Sequence, residues 1–246
     1  MEAGDKCNYT HQKHANSIYD LGSNPPARGR TDVLGQSGWG KTSLLWKEGP
    51  YFQNHQVVIT YTHKAKWPGY VPHFAGQELS STIRRLRAAT PLRLVVLGDS
   101  ISQGYRASGF FHVPPYQPSY PGLVANGLKL AYGSNIILKN LSVAGTTAQW
   151  GIQMAPKVVT DRPNLVILAF GMNDAGGFSA VTFHQNLKRI IARIRQGCPK
   201  AQFIVVAPMT DNPEWTAIKS TMFPQYLRAI RQLRGKGIAV ADITSI

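Results

Sequence analysis

The stretch Leu92-Arg93-Leu94-Val95-Val96-Leu97-Gly98-Asp99-Ser100-Ile101-Ser102-Gln103-Gly104 sets a serine hydroxyl directly behind a run of apolar residues. The run predicts a buried strand, and the glycines on either side of the serine predict a sharp turn. A serine at the C-terminal end of a parallel strand stands where open α/β sheets gather their reactive groups, which makes Ser100 a candidate nucleophile. Asp and Ser are also ordinary helix N-cap residues, so the tripeptide alone leaves a purely structural reading open. Two later segments have the same form. Asn140-Leu141-Ser142-Val143-Ala144-Gly145 closes one apolar run, and Leu165-Val166-Ile167-Leu168-Ala169-Phe170-Gly171-Met172-Asn173-Asp174 closes another. Three predicted strands therefore deliver Ser100, Gly145 and Asn173 to one edge of a sheet. A hydroxyl nucleophile needs a base, and the tetrahedral intermediate it forms needs fixed donors aimed at the developing oxyanion. Glycine lets the backbone approach a substrate closely. An asparagine amide donates a hydrogen bond without a full charge.

This ordered set of blocks resembles the SGNH hydrolases, also called GDSL esterases, over residues 91–246. The resemblance implies that Ser100 attacks an ester carbonyl, and that the Ser100 N–H, the Gly145 N–H and the Asn173 side-chain amide bind the oxyanion. It also implies a flavodoxin-like three-layer α/β fold, with no metal and no organic cofactor. The implied partner is a small acyl ester, an acetyl ester foremost, free or on a carbohydrate, and the implied location is secreted or periplasmic. The family's Asp and His, two or three residues apart near the C-terminus, are absent from Ile238-Ala239-Val240-Ala241-Asp242-Ile243-Thr244-Ser245-Ile246. The chain is therefore expected to be catalytically incomplete and to leave one flank of its sheet without a covering helix. A non-catalytic, ligand-binding scaffold of the same family is the alternative.

Two histidines fall within the resembling segment, and neither lies where the family pattern puts the base. His112 sits in the aromatic, proline-rich Phe110–Tyr116 and is expected in a solvated loop. His184 lies on the helical spacing Phe183, Leu187, Ile190, Ile191, Ile194. Asp99 is expected to brace the nucleophile loop through backbone hydrogen bonds, and Asp174 to cap the turn that follows its strand. Asp211 and Asn212 read as turn residues near Glu214, and Trp215 as a candidate pocket wall.

The elements that must position these residues alternate along the chain. Strands are predicted near 92–98, 135–141, 164–170, 202–207 and 237–242, with helices near 119–132, 147–159, 179–196 and 222–235. This alternation predicts βαβ units with right-handed crossovers in a parallel sheet. Ahead of that domain, residues 1–30 read as a polar lead-in. Residues 31–90 read as a small β-rich region, similar in position to the jelly-roll-type domain that some SGNH carbohydrate esterases carry. Gly35-Gln36-Ser37-Gly38-Trp39-Gly40-Lys41-Thr42 matches the P-loop pattern and makes a nucleotide-binding protein a remote alternative, but its flanks supply neither the buried strand nor the helix that motif requires.

Composition bounds the rest. The 246 residues are 43% hydrophobic, enough for a substantial core. The net charge of +15, from 27 basic and 12 acidic side chains, raises a polyanion partner. The basic residues nevertheless alternate with apolar ones at helical spacing, so they read as solvated helix faces and a nucleic-acid partner is not expected. No apolar run reaches the roughly 18 residues of a membrane span, and Met1–Lys6 has no hydrophobic signal core. Cys7 and Cys198 form no disulfide framework or metal pattern.

Overall fold

The computed structural model describes residues 62, 64–66, 69, 71–105, 107–211 and 219–245. The lead-in, the P-loop-like segment, Asn212, Glu214 and Trp215 lie outside these. The described residues fall into two compact units: 62 and 107–117 belong to one, and 64–66, 69, 71–105, 118–211 and 219–245 to the other.

The larger unit is a five-stranded parallel sheet. Its strands are β1 (Leu92–Gly98), β2 (Ile136–Asn140), β3 (Leu165–Ala169), β4 (Gln202–Val206) and β5 (Ile238–Ala241), in the spatial order β2-β1-β3-β4-β5. Leu92 of β1 pairs with Ile136, Leu94 with Leu165 of β3, and Phe203 of β4 with Ile238 of β5. This is the flavodoxin-like order, in which the chain reverses its direction of travel between β1 and β3. The crevice beyond the carboxyl ends of those two strands is where such sheets bind ligands.

The helices are α1 (Ser80–Arg87), α2 (Ser100–Gln103), α3 (Tyr120–Tyr132), α4 (Ala148–Thr160), α5 (Ala180–Gly197) and α6 (Phe223–Arg231). α5 starts at Ser179, whose hydroxyl accepts from Thr182 N at 3.1 Å, and buries Phe183, Leu187, Ile190, Ile191 and Ile194 along one stripe. With α4 and α6 it seals one face of the sheet over Val95, Leu97, Val166, Leu168, Phe203 and Val205. Tyr226 of α6 stacks on Phe183 with ring centroids 4.2 Å apart and donates its hydroxyl to Phe178 O at 2.7 Å. The opposite face packs Leu92, Leu94 and Val96 against Leu86 of α1 and Ala125 of α3.

The described end of the 31–90 region carries one helix, Ser80–Arg87, while residues 31–61, on which the β-rich expectation rests, lie outside the described residues. Leu79, Ile83 and Leu86 recur at helical spacing, and burying them on the sheet selects a helix. No helix among the described residues is long and apolar enough to cross a membrane. The other unit's 107–117 closes on itself through Gly109 N to Gln117 O at 2.9 Å and Gln117 N to Ser108 Oγ at 2.8 Å, and it carries His112.

Candidate active site

Ser100 is the first residue of α2, half-buried, directly after the end of β1. Asp99 caps this short helix, its Oδ1 accepting from Ile101 N at 3.0 Å. Gly98 has no room for a side chain: a Cβ there would stand 2.5 Å from both Ala169 O and Ser102 Oγ. β1 and β3 can therefore run side by side up to the turn only because this residue is glycine.

The loop after β2 is drawn onto the same turn by backbone and side-chain bonds. Val143 N donates to Gly98 O at 3.1 Å, and the Thr146 hydroxyl lies within 3.2 Å of the same carbonyl and 2.7 Å of Val143 O. Asn140 Nδ2 donates to Ser102 O at 2.7 Å, and Ala144 N to Gln103 Oε1 at 2.7 Å. Gly145 stands exposed in this loop with φ +76°, a left-handed conformation that favours glycine, and open space where a Cβ would project.

The third loop is locked to the second. Asn173 Nδ2 donates to Thr146 O at 2.8 Å, which leaves its other amide hydrogen for a further acceptor. Asp174 is fully buried, and its carboxylate accepts from Ala148 N at 3.0 and 3.2 Å. It thus caps α4, whose first residue lies 26 positions earlier, rather than the turn that follows β3. Thr146 is the shared knot of the three loops, bonded to Gly98 and to Asn173. It was not singled out in the sequence, where the only signal is a short polar side chain between a glycine and a helix start.

Two carboxyls at this edge are perturbed in the same direction. Burial pushes Asp99 from its ordinary value near 3.8 up to about 6, against the opposing hydrogen bond from Ile101. Asp174 is also raised to about 6, by burial first and then by the charge of Asp99. Burial pushes Tyr120 up to about 12, and its hydroxyl shares a 2.8 Å hydrogen bond with Ser102 Oγ. Asp242, past the end of β5, goes the other way. Burial works to raise it, but hydrogen bonds from Arg231 Nη2, at 2.6 Å, and from Ser245 outweigh that and hold it below the usual range. Asp211 accepts from the Ser220 hydroxyl at 3.1 Å.

Among the described residues no hydrogen bond reaches the Ser100 hydroxyl. His184 lies on α5 with Nε2 buried and unpartnered, its pKa lowered by burial and by Lys188. Among the described residues no cluster of His, Cys, Asp and Glu is arranged to hold a metal ion. Beside the turn, an apolar cavity of about 550 Å³ runs under Asp99 and Ile101 to Met172, Val206, Met209 and Ile243.

Comparison with known proteins places this geometry in a family. The chain is 32% identical over 105 residues to an arylesterase of Vibrio mimicus, a match covering 42% of this chain and 48% of that protein. It is 30% identical over 111 residues to thioesterase 1/protease 1/lysophospholipase L1 of Escherichia coli K12, covering 44% and 48%. The aligned part spans about half the length of these relatives. The fold is shared with a two-domain esterase active on acetylated mannans, at a TM-score of 0.54 and 19% identity over 69% of this chain and 43% of that one. It is shared also with the lipase Lip_vut3 from a goat rumen metagenome, at a TM-score of 0.51 and 14% identity over 61% and 79%. Residues 96–246, which carry all three loops, match the GDSL-like Lipase/Acylhydrolase family, and the chain belongs to it.

Proposed function

We propose that this chain is the scaffold of a serine esterase for small acyl esters, acetyl esters foremost, including acetylated carbohydrates. The observation that carries the reading is the knot at Thr146, which binds the Ser100 turn, the Gly145 loop and Asn173 together. In this reading the Ser100 Oγ attacks the ester carbonyl and passes its proton to a base. The oxyanion is received by the Ser100 N–H, the Gly145 N–H and the second amide hydrogen of Asn173. Collapse of the intermediate expels the alcohol, which takes up the proton, and leaves an acyl-serine. Water then repeats the cycle and releases the acid. The acetyl and carbohydrate assignments draw support from the esterase active on acetylated mannans that shares the fold.

Because no described side chain bonds the Ser100 hydroxyl, the reading assigns this chain slow turnover by itself. A ligand-binding scaffold without turnover is the second reading, favoured by that same unbonded hydroxyl. The two separate in one experiment. Hydrolysis of p-nitrophenyl acetate is followed with and without added imidazole as an external base, and the rate given by Ser100→Ala is subtracted. The esterase reading expects a residual, imidazole-stimulated rate that depends on Ser100. It also expects Asn173→Ala to lower kcat by about 10²-fold while KM stays within a few-fold. Rates equal to those of Ser100→Ala under all conditions would leave the binding scaffold.

A further inference from the structure

A second concave site lies at the other end of the strands. A cavity of about 370 Å³ is lined by Ser81, Arg84 and Arg85 of α1, by Thr90 of the turn before β1, by Asn164 just before β3, and by Lys200 just before β4. All these segments sit at the N-terminal ends of parallel strands, whereas Ser100, Gly145 and Asn173 follow the C-terminal ends. The two sites are separated by a strand length, roughly 20 Å.

Among the described residues, three cations line this cavity and no carboxylate does. Ion pairs of the described residues use Arg231, Arg234 and His73, and none uses Arg84, Arg85 or Lys200. The arginines are not needed to cap the helix either. The last carbonyls of α1 are already taken by backbone: Ala88 N donates to Arg84 O at 3.1 Å, Thr90 N to Arg85 O at 3.0 Å and Ala89 N to Leu86 O at 2.9 Å.

Two of the donors are held in place. Arg85 Nη1 donates to Pro91 O at 3.0 Å, which steadies the guanidinium while leaving it further N–H groups. Asn164 Oδ1 accepts from Arg93 N at 2.9 Å, which leaves its amide hydrogens for another acceptor. Ser81 and Thr90 add hydroxyls. A set of fork-shaped and point-like cations with neutral donors between them suits an acceptor that carries more than one charge and several oxygens.

We propose that this cavity binds a tetrahedral oxyanion, phosphate or sulfate. The cavity falls in the size range of small-molecule sites and accommodates the ion free or as a group on a sugar. The site is independent of the esterase reading, and its test needs no turnover. Inorganic phosphate, inorganic sulfate and a hexose phosphate are each titrated calorimetrically into the full chain, with chloride balancing ionic strength. The double variant Arg85→Gln/Lys200→Gln is compared with Lys188→Gln/Arg189→Gln, which removes the same charge from the exposed face of α5. The site predicts that the first variant weakens phosphate binding by about tenfold or more. The second should weaken it less than about twofold. Tighter binding of the hexose phosphate than of the inorganic ion identifies a carried group as the ligand, and equal binding identifies the free ion. Equal weakening by the two variants, or no heat beyond the chloride blank with the unaltered chain, overturns the site. Unchanged circular dichroism in both variants ensures that loss of fold is not what is measured.

Discussion

The two faces of the sheet are made from the same kinds of residue and end up differently covered. On one face α4, α5 and α6 seal Val95, Leu97, Val166, Leu168, Phe203 and Val205, with Phe203 and Val205 both at 0% exposure. On the other, α1 and α3 cover the β1 side, while Ile204 and Val206 of β4 stay half-buried and line the 550 Å³ cavity. Parallel strands are apolar on both faces because crossover helices normally cover both. Among the described residues the difference lies in which helices cover each face, and it places the two raised aspartates in unlike surroundings. Asp174 is enclosed and caps α4, whereas Asp99 borders the open cavity.

Truncating neighbouring residues of β4 that point to opposite faces should separate the two faces most strongly. Phe203→Ala should cost about 3–5 kcal/mol in urea unfolding, because it leaves a void among sealed side chains. Ile204→Ala should cost nearer 1 kcal/mol, because less area is withdrawn from water. Equal losses would mean that the two faces are packed alike.

A smaller effect is expected at Asp99. Its folded pKa is raised from 3.8 to about 6, so the folded state holds a proton more tightly than the unfolded chain does. Its contribution to stability is therefore greatest below about pH 3.8 and falls as pH rises toward 6, above which the penalty for the buried charge is complete. Asp99→Asn keeps a competent helix cap and removes the titration. Thermal unfolding should find this variant more stable than the parent near neutral pH, by on the order of 2 kcal/mol, with the advantage vanishing near pH 4. A pH-independent difference would refute the buried, raised carboxyl.

The smallest effect concerns the open face itself. The native chain should enhance the emission of 8-anilino-1-naphthalenesulfonate, and Val206→Glu should cut that enhancement by about half while changing stability by less than about 1 kcal/mol. Unaltered dye emission in the variant would place the exposed apolar surface elsewhere.

Much of the fold was legible in the residues because its signals are local. The run Leu92–Gly98, the stripe Phe183 to Ile194 and the glycine-ended strands all lie within single windows, and the observed elements agree with them to within a few residues at their ends. Ser80–Arg87 was obscured by its surroundings: an eight-residue helix has weak periodicity of its own and takes its stability from the sheet it covers. The candidate site was legible as three residue types at three strand ends. What ties them was not, because Thr146, Asn140 and Gln103 act through bonds to residues far along the chain.

By itself, then, the sequence determined the alternation of strand and helix, the parallel sheet that follows from it, and the delivery of Ser100, Gly145 and Asn173 to one edge, since each depends on periodicity and turn chemistry within a short segment. Tertiary structure alone decided that Asp174 caps α4, that Thr146 joins the three loops, that among the described residues Phe203 and Val205 of β4 are sealed while Ile204 and Val206 line a cavity, and that Arg84, Arg85 and Lys200 share another. Those outcomes depend on burial and on pairings across tens of residues, and a linear pattern carries no term for either.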